Sequence, residues 1–215
     1  IAPGSAALLE RLSSASNVYG PGKHFLSQKE SVKETVLLDD MHGFIESLAA
    51  TSKDGIQVQI QDVHFRFRLR AGKQYGDYTQ RTPSNPHPFS TQAVRNMTYN
   101  RLVQSNGLTP WTEAVRNSVS GVITDFVSRH QIDHLTVPDT TDMKAREELR
   151  DLFNSKVVRS RLQDLGAELL WLDIGHFEIL DRLVVNQRVE TWQAVWMGNA
   201  NVIRAYGEAK RLADQ

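Results

Sequence analysis

The sequence predicts an α+β fold, and three patterns along the chain support that prediction. Residues 1–70 alternate apolar and polar side chains in short runs separated by turn signals, which is typical of antiparallel strands. Residues 91–165 repeat apolar side chains every three or four positions, which indicates amphipathic helices. An apolar run at 167–179 predicts one more strand, and helical spacing returns from residue 182 onwards.

These patterns divide the chain into four parts. They are a mainly β first subdomain (1–72), a connecting loop (73–90), a helix–helix–strand second subdomain (91–181) and the start of a long coiled-coil helix (182–215). The connecting loop is predicted because residues 71–90 hold three prolines and two glycines without a clear period.

The composition narrows the classes of function. Lys and Arg number 25, Asp and Glu number 25, and the formal net charge is zero, so we expect no nucleic-acid partner. The chain has no cysteine, which removes disulfides, thiol nucleophiles and cysteine-bound metals. No apolar run in the sequence approaches the ~20 residues that a membrane-spanning helix needs.

Three strands are predicted before residue 52. The runs SAALLERL (5–12), SVKETVLLDD (31–40) and GFIESLAAT (43–51) are apolar enough to form them. Between the first two, Pro21 and Gly22 suit the central positions of a type II turn, because proline fixes φ and glycine accepts a positive φ.

The stretch TSKDGIQVQIQDVHFRFRLR (51–70) predicts a hairpin followed by a long strand at the centre of its sheet. The turn at 52–55 joins it to the preceding strand, with Gly55 in the left-handed position. Within the strand the apolar positions change parity, in the order Val58, Ile60, Val63, Phe65, Phe67 and Leu69. A β-bulge near Gln61 and Asp62 explains the change by inserting one residue. The alternative is a strand that crosses from one packing layer to another.

The other parity of this strand carries basic side chains. We call it the basic strand face, and it consists of His64, Arg66, Arg68 and Arg70. Such a face contacts anionic lipid headgroups, the carboxylates of a neighbouring subunit, or only solvent.

Three helices are predicted in the second subdomain, at 91–106, 111–130 and 142–165. The third ends at Gly166, which suits the left-handed residue that closes many helices. It places five side chains inward, namely Leu149, Phe153, Val157, Leu162 and Leu165. The strand that follows, at 167–179, has apolar residues on both faces and is therefore expected to be buried.

The second of these helices carries two further signals. Thr109 and Pro110 are expected to begin it, as the cap and the first-turn proline. Gly121 lies in its interior, where glycine costs ~1 kcal/mol relative to alanine, and this predicts a close helix contact at that point.

From residue 182 the apolar positions alternate four- and three-residue steps, which is the pattern of a coiled coil. We call this stripe the tail-helix seam, and it consists of Val185, Val189, Trp192, Trp196, Ile203 and Tyr206. The seam packs either on a neighbouring subunit or on the same chain's own domain. We favour the neighbouring subunit, because the pattern continues intact towards Gln215.

The histidines do not form a recognisable metal motif. His130 and His134 are four residues apart, but the preceding helix is expected to end near His130, which takes the pair off a shared helical face. No His-Glu-x-x-His pattern accompanies them. His176, beside Glu178, is expected to be a buried and hydrogen-bonded histidine. We therefore expect no metal site.

Catalytic motifs are not recognisable either. Ser13, Ser14 and Ser118 lack a Gly-x-Ser-x-Gly elbow. Asp39 and Asp40 are expected on opposite faces of a strand, which is the wrong arrangement for shared acid–base chemistry. No glycine-rich phosphate loop occurs in the sequence. We expect a protein that is not an enzyme, with no catalytic residues and no cofactor.

The order of these elements resembles the SPFH (band 7, prohibitin homology) domain of stomatins, prohibitins and flotillins. Five stretches of the sequence carry the resemblance, namely IAPGSAALLERL with VYGPGKHF, TSKDGIQVQIQDVHFRFRLR, EAVRNSVSGVITDF, SRLQDLGAELLWLDIGHFEI and QRVETWQAVWMGNANVIRAYGEAKRLADQ. In the same order, they are similar to the family's two opening strands, of which the second is preceded by Pro-Gly, and to its strand that follows an Asp-Gly turn. The remaining three are similar to a helix of the family's second subdomain, to its final strand and to the start of its long helix. That last stretch includes the Gly-Glu-Ala signature, at 207–209.

The resemblance implies a non-catalytic, membrane-associated scaffold that organises a membrane microdomain. It implies an N-terminal hydrophobic anchor, here expected upstream of Ile1, and side-by-side assembly into rings or cages. The implied partners are other SPFH subunits, as homo- or hetero-oligomers, the membrane, and a membrane protease or small membrane protein that the assembly encloses or regulates. The basic strand face and the tail-helix seam are then membrane or subunit contacts. The alternative is a soluble, non-catalytic ligand- or protein-binding module with the same fold.

Overall fold

The computed structural model describes residues 1–71, 81–83, 85–104, 107–136 and 143–213. Its strands are β1 (Ser5–Arg11), β2 (Ser14–Tyr19), β3 (Glu30–Leu37), β4 (Met41–Thr51), β5 (Gln57–Leu69), β6 (Val103–Gln104), β7 (Gly107–Leu108), β8 (Ala167–Asp173) and β9 (Phe177–Ile179). Its helices are α1 (Thr91–Tyr99), α2 (Trp111–Arg129), α3 (Ile132–Thr136), α4 (Met143–Asn154), α5 (Lys156–Asp164) and α6 (Arg182–Ala213). The α+β class, with antiparallel sheets first and helices after them, is confirmed.

The strands of the described residues form two larger sheets and a small ribbon. In the first sheet β1 lies between β2 and β3, and in the second β5 lies between β4 and β8, with β9 also paired to β5. All these pairs are antiparallel, and β6 pairs with β7 in the ribbon. The central position predicted for β5 is confirmed. Because β8 and β9 come late in the chain, the second predicted subdomain completes a sheet that the first begins.

Among the described residues, one buried core joins both larger sheets to the helices. The inward side of β5 is fully buried and consists of Val58, Ile60, Val63, Phe65, Phe67 and Leu69. Helix α2 packs on this sheet with a buried stripe, made of Val115, Val119, Val122, Ile123, Phe126 and Val127. Phe67 meets Trp111 edge to face, with ring centroids 5.5 Å apart. The side chains that the sequence pattern placed inward on β5 are therefore the ones that form the core.

The change of parity in β5 has a different cause from the one predicted. Ile45 pairs with Val63 and Ser47 pairs with Gln61, so the same number of residues separates the pairs on both strands and no residue is inserted opposite β4. Instead Asp62 adopts a positive φ of 54°, and from this residue on the odd-numbered side chains of β5, rather than the even-numbered ones, face the core. Both halves of β5 contribute to the same core, so the bulge is wrong as the mechanism and the alternative of two layers is also not observed.

Two helix ends differ from the prediction. Helix α1 ends at Tyr99 instead of 106, and the residues after it form the β6–β7 ribbon. Pro110 is itself the N-cap of α2, and the side chain of Thr109 makes no capping hydrogen bond.

Gly121, in the interior of α2, is exposed, and a Cβ there meets nothing within 4 Å, so the predicted close helix contact is wrong.

The third predicted helix is two helices, α4 and α5, separated at Ser155. The Oγ of Ser155 accepts a hydrogen bond from the backbone N–H of Val158 and begins α5. The break shifts the helical period, so that Val158 is buried and Val157 is exposed. Leu149, Phe153 and Leu162 are buried as predicted, and Leu165 is half-buried. Gly166 follows α5 with a φ of 73°, as predicted.

The strands around Pro21 and Gly22 are also arranged differently. Strand β2 precedes this turn, and the next strand, β3, begins only at Glu30. The resemblance implies a strand preceded by the Pro-Gly pair, and β3 follows that pair after the intervening residues 23–29. The turn itself has a glycine with positive φ, at 131° for Gly22.

Candidate interaction surfaces

The tail-helix seam is exposed along its whole length. Its six side chains range from 37% exposed at Val185 to 75% exposed at Tyr206. Every side chain of α6 from Val189 to Arg211 is exposed, so the helix does not pack on the rest of the described chain in this region. Trp192 and Trp196 contact each other edge to face, with centroids 5.7 Å apart. An exposed apolar stripe of this length is a candidate surface for a partner.

The first turns of α6 are held in place by polar contacts. The carboxylate of Asp181 accepts a hydrogen bond from the backbone N–H of Leu183, which caps the helix. Arg188 reaches α3, where its Nη2 lies 3.0 Å from a carboxylate oxygen of Asp133 and its Nη1 donates to Thr136 Oγ1. The seam therefore begins at a fixed point of the domain.

The basic strand face is less basic than the sequence indicates. Arg68 forms an ion pair with Glu168 on β8, with both its Nε and Nη2 3.1 Å from the same carboxylate oxygen. Arg66 is exposed, while His64 stacks on the exposed ring of Phe44 at 4.6 Å. Arg70 lies beyond the end of β5 and lines a cavity instead. The face is a mixed surface with a single exposed arginine at its centre.

Aromatic side chains that the sequence analysis missed complete this face. Trp171 pairs directly with Arg66 across the sheet and is 49% exposed. The register between β5 and β8 shifts at this level, because Arg66 pairs with Trp171 but Phe67 pairs with Leu169. The extra residue, Leu170, is exposed as well. The prediction of a strand buried on both faces is therefore wrong, since β8 lies at the edge of the sheet and presents Leu170 and Trp171 outward.

A cavity of about 450 Å³ lies between β8 and the helices α4 and α5. Three arginines line it, Arg70, Arg150 and Arg159, beside apolar side chains that include Trp171 and Leu172. Arg150 lies 3.4 Å from Asp173, and Arg159 donates to Asn154 at 2.9 Å. The sequence gives no signal for this grouping, because Arg150 and Arg159 lie 80 and 89 positions after Arg70 in the chain.

His130 and His134 lie together, contrary to the expectation that they would not share a face. Helix α2 ends at Arg129, but the chain turns at His130 into α3, and the two imidazoles stack with centroids 5.0 Å apart. Glu148 of α4 joins them, with its Oε2 2.8 Å from His134 Nε2 and 3.9 Å from His130 Nε2. We call these three residues the histidine–glutamate cluster.

The other titratable groups noted in the sequence, His176, Asp39 and Asp40, lie in surroundings that differ from those expected. His176 is exposed and precedes β9, so the expectation of a buried histidine is wrong. Asp39 and Asp40 follow β3 rather than lying within a strand, and both approach Arg81, at 3.6 and 2.9 Å. They form a local ion-pair group and not the opposed pair that was expected.

The shifted pKa values mark ties between elements. Tyr99 of α1 donates a hydrogen bond to Glu10 of β1, which lowers the pKa of Glu10, and Lys33 lowers it further. Burial, followed by the contact with Glu10, raises the pKa of Tyr99. Hydrogen bonds from Ser16 and Ser27 lower the pKa of Glu30. These groups connect the first sheet to itself and to α1, away from the surfaces described above.

No family model matches the chain, and no curated protein matches it. In the part of the chain that the structure describes, no helix has the length and apolar character needed to cross a membrane.

Proposed function

We propose that this chain is a subunit of a membrane-associated, SPFH-type scaffold whose copies assemble side by side into rings or cages. The observation that carries the proposal is the exposed tail-helix seam. Its apolar positions span residues 185–206, which is about 32 Å of helix at 1.5 Å per residue. An exposed apolar stripe of this length on a helix fixed at its start is stabilised by a partner.

The pattern of the seam favours a second copy of this chain as that partner. The seam follows a heptad spacing, and the positions flanking it on one side hold Val195 and Val202, which are also exposed. This widens the stripe beyond a two-stranded seam and suits a helix that contacts a neighbour on each side. Asn199 lies between Trp196 and Ile203 at the heptad position that would continue the seam, and a polar residue at such a position fixes the register between identical helices.

The mixed sheet face supports a second contact between subunits. The pairing of Arg68 with Glu168 lowers its net charge, which weakens the case for anionic lipid as its target. The exposed Trp171 and Phe44 beside Arg66 have the composition of a protein interface, where aromatic residues and arginine are enriched. Two different surfaces on one chain permit head-to-tail contacts, and such contacts form a ring when the rotation from one subunit to the next closes.

The membrane and its partners enter this proposal through the resemblance of the sequence to SPFH proteins. On that basis the scaffold organises a membrane microdomain and encloses or regulates a membrane protein such as a protease. We propose no catalytic activity and no cofactor for it.

The seam is tested by placing charge on it. Trp192→Glu combined with Trp196→Glu is expected to weaken self-association by about a hundredfold or more, because two exposed aromatic side chains that assembly would bury are replaced by carboxylates. Analytical ultracentrifugation of the wild type and the variant over a concentration series measures this. The wild type is expected to sediment as an oligomer, and the variant as a monomer at the same concentration.

A matched control places the same charge on the opposite side of α6. Ala194→Glu combined with Asn201→Glu adds two carboxylates at exposed positions away from the seam. This variant is expected to assemble like the wild type. A wild-type protein that is monomeric throughout the series contradicts the proposal, as does a seam variant that assembles as well as the control.

The arginine-lined cavity favours a second candidate, a binding module for an anionic ligand that works without a membrane. Arg70, Arg150 and Arg159 supply donors in a space large enough for a small molecule. Fractionation of the cells that make the natural protein separates the two candidates. The scaffold is expected to sediment with membranes and to be released by detergent but not by high salt. Recovery in the supernatant without detergent favours the binding module.

A further inference from the structure

The histidine–glutamate cluster has the composition and spacing of a metal site. The ligating atoms of His130, His134 and Glu148 all lie within 4.8 Å of one another. Tetrahedral zinc with bonds of about 2.0–2.1 Å holds its ligand atoms about 3.3–3.4 Å apart. The two distances from Glu148 Oε2, 2.8 and 3.9 Å, lie on either side of that value. We propose that the cluster binds a divalent transition metal of the zinc class, with a fourth position open to water or another ligand.

The hydrogen bonding of His130 fixes the tautomer that a metal ligand needs. Its Nδ1 lies 2.7 Å from the carbonyl oxygen of Phe126, and because a carbonyl only accepts, Nδ1 donates the proton. In the neutral ring Nε2 then carries the lone pair, and this is the atom that lies towards His134 and Glu148. Metal-binding histidines commonly have their other nitrogen fixed in this way by a backbone carbonyl.

A simple hydrogen-bonded cluster does not account for the arrangement. The contact between His134 and Glu148 is a hydrogen bond at 2.8 Å, but His130 Nε2 lies 3.9 Å from the same carboxylate, beyond hydrogen-bonding distance. The ring of His130 is nevertheless held in the cluster by Phe126, whose ring centroid is 4.1 Å away. The side chains of the cluster are between 30% and 40% exposed, which leaves access for an ion and its water.

The backbone around the cluster is fixed by the turn between β4 and β5. The backbone N–H of Lys53 donates to the carbonyl of His130 at 2.9 Å. The carboxylate of Asp54 accepts the backbone N–H of Ile132, at 3.2 Å from each oxygen, and begins α3. The hydrogen bond from Ser52, together with that from Ile132, lowers the pKa of Asp54, so this tie is present at neutral pH and is lost as the pH falls through that lowered pKa. The ligands are thereby held in position before a metal binds.

The donor set selects the class of metal. Two imidazoles and one carboxylate suit zinc, nickel or copper, whereas magnesium and calcium take oxygen ligands. A bound ion connects the end of α2 with α3 and α4, so binding stabilises the folded chain. The proposal is independent of the scaffold function, because none of the three ligands belongs to the tail-helix seam or to the mixed sheet face.

The test is calorimetric titration of the metal-free, tag-free protein with zinc chloride. We expect one zinc per chain, and His130→Ala, His134→Ala and Glu148→Gln are each expected to weaken binding by about tenfold or more. Saturating zinc is expected to raise the Tm of the wild type by about 5–10 °C, and to raise that of the variants by much less. Substitution with Co²⁺ gives a second readout, since tetrahedral coordination produces characteristic visible absorption that Glu148→Gln alters.

Another close histidine pair serves as the matched control. His42 and His64 lie on the sheet face with ring nitrogens 3.3 Å apart, so His42→Ala with His64→Ala removes two histidines and leaves the cluster intact. This variant is expected to keep its zinc affinity. Absence of saturable zinc binding in the wild type overturns the proposal. So does retention of full affinity in folded Glu148→Gln and His134→Ala, with folding checked by circular dichroism.

Discussion

Replacing Phe65 with alanine is expected to lower the free energy of unfolding by about 3–5 kcal/mol, because it empties the centre of the core. Phe65 is fully buried and lies against the Phe67 ring at a centroid distance of 5.6 Å. It also covers Gly43, its partner on β4, so closely that a Cβ on that glycine would lie 2.1 Å from the Phe65 ring. Urea unfolding followed by circular dichroism measures the loss.

The control for this prediction is a phenylalanine on the opposite side of the same sheet. Phe44 follows Gly43 on β4, is 43% exposed and stacks on His64. Phe44→Ala is expected to cost less than about 1 kcal/mol, since its site does not become a cavity. If the two variants lost equal stability, the assignment of inward and outward sides to this sheet would be incorrect.

The inward side of β5 shows how much the sequence predicts about this fold. Alternation alone identified the six buried side chains of the strand and the level at which the parity changes. The cause of that change was not predictable, because it lies in the positive φ of Asp62 while the pairing with β4 keeps its register. A change of parity in one sequence looks the same whether a residue is inserted or the chain is turned over.

The break between α4 and α5 and the exposure of Trp171 were missed for a related reason. Ser155 sits within a continuous helical period, and the end of one helix and the start of another show only in the structure, where the Ser155 backbone is extended and its Oγ accepts a hydrogen bond from the N–H of Val158. Trp171 lies in a run of apolar residues that resembles a buried strand. Its exposure follows from the position of β8 at the sheet edge and from the register shift opposite Arg66. Both features depend on neighbours that are distant in sequence.

The candidate sites also differ in how far the sequence predicts them, according to whether their residues lie in one element or in several. The positions of the tail-helix seam were predictable, because their spacing is a local property of one helix, but their exposure was not, since the same spacing also suits a helix packed on its own domain. The histidine–glutamate cluster was not, since it needs the corner between α2 and α3 and a ligand from α4, fourteen positions after His134. The pair of histidines was visible in sequence, but a third ligand is what distinguishes a metal site from two nearby imidazoles.

The corner after α5 is expected to be as sensitive as the core. Gly166→Ala is predicted to lower the free energy of unfolding by about 3 kcal/mol or more, through two separate costs. Gly166 has a φ of 73°, which is unfavourable for any residue with a Cβ, and that Cβ would lie 2.2 Å from the carbonyl oxygen of Ala93. Because Ala93 O belongs to the backbone of α1, the contact is relieved only if the helix moves. Urea unfolding of the variant measures the loss.

A second glycine separates the effect of this corner from the general effect of adding a methyl group. Gly121 lies in the exposed interior of α2, and a Cβ there meets nothing within 4 Å. Gly121→Ala is therefore expected to raise stability by about 0.5–1 kcal/mol, the ordinary gain in helix propensity. Tolerance of Gly166→Ala at the same level would contradict the close packing of α1 on this corner. A loss of stability in Gly166→Ala but not in Gly121→Ala would show that the close packing is specific to this corner. The same corner holds Arg70, whose backbone N–H donates to the carbonyl of Gly166 at 2.9 Å and whose side chain lines the cavity.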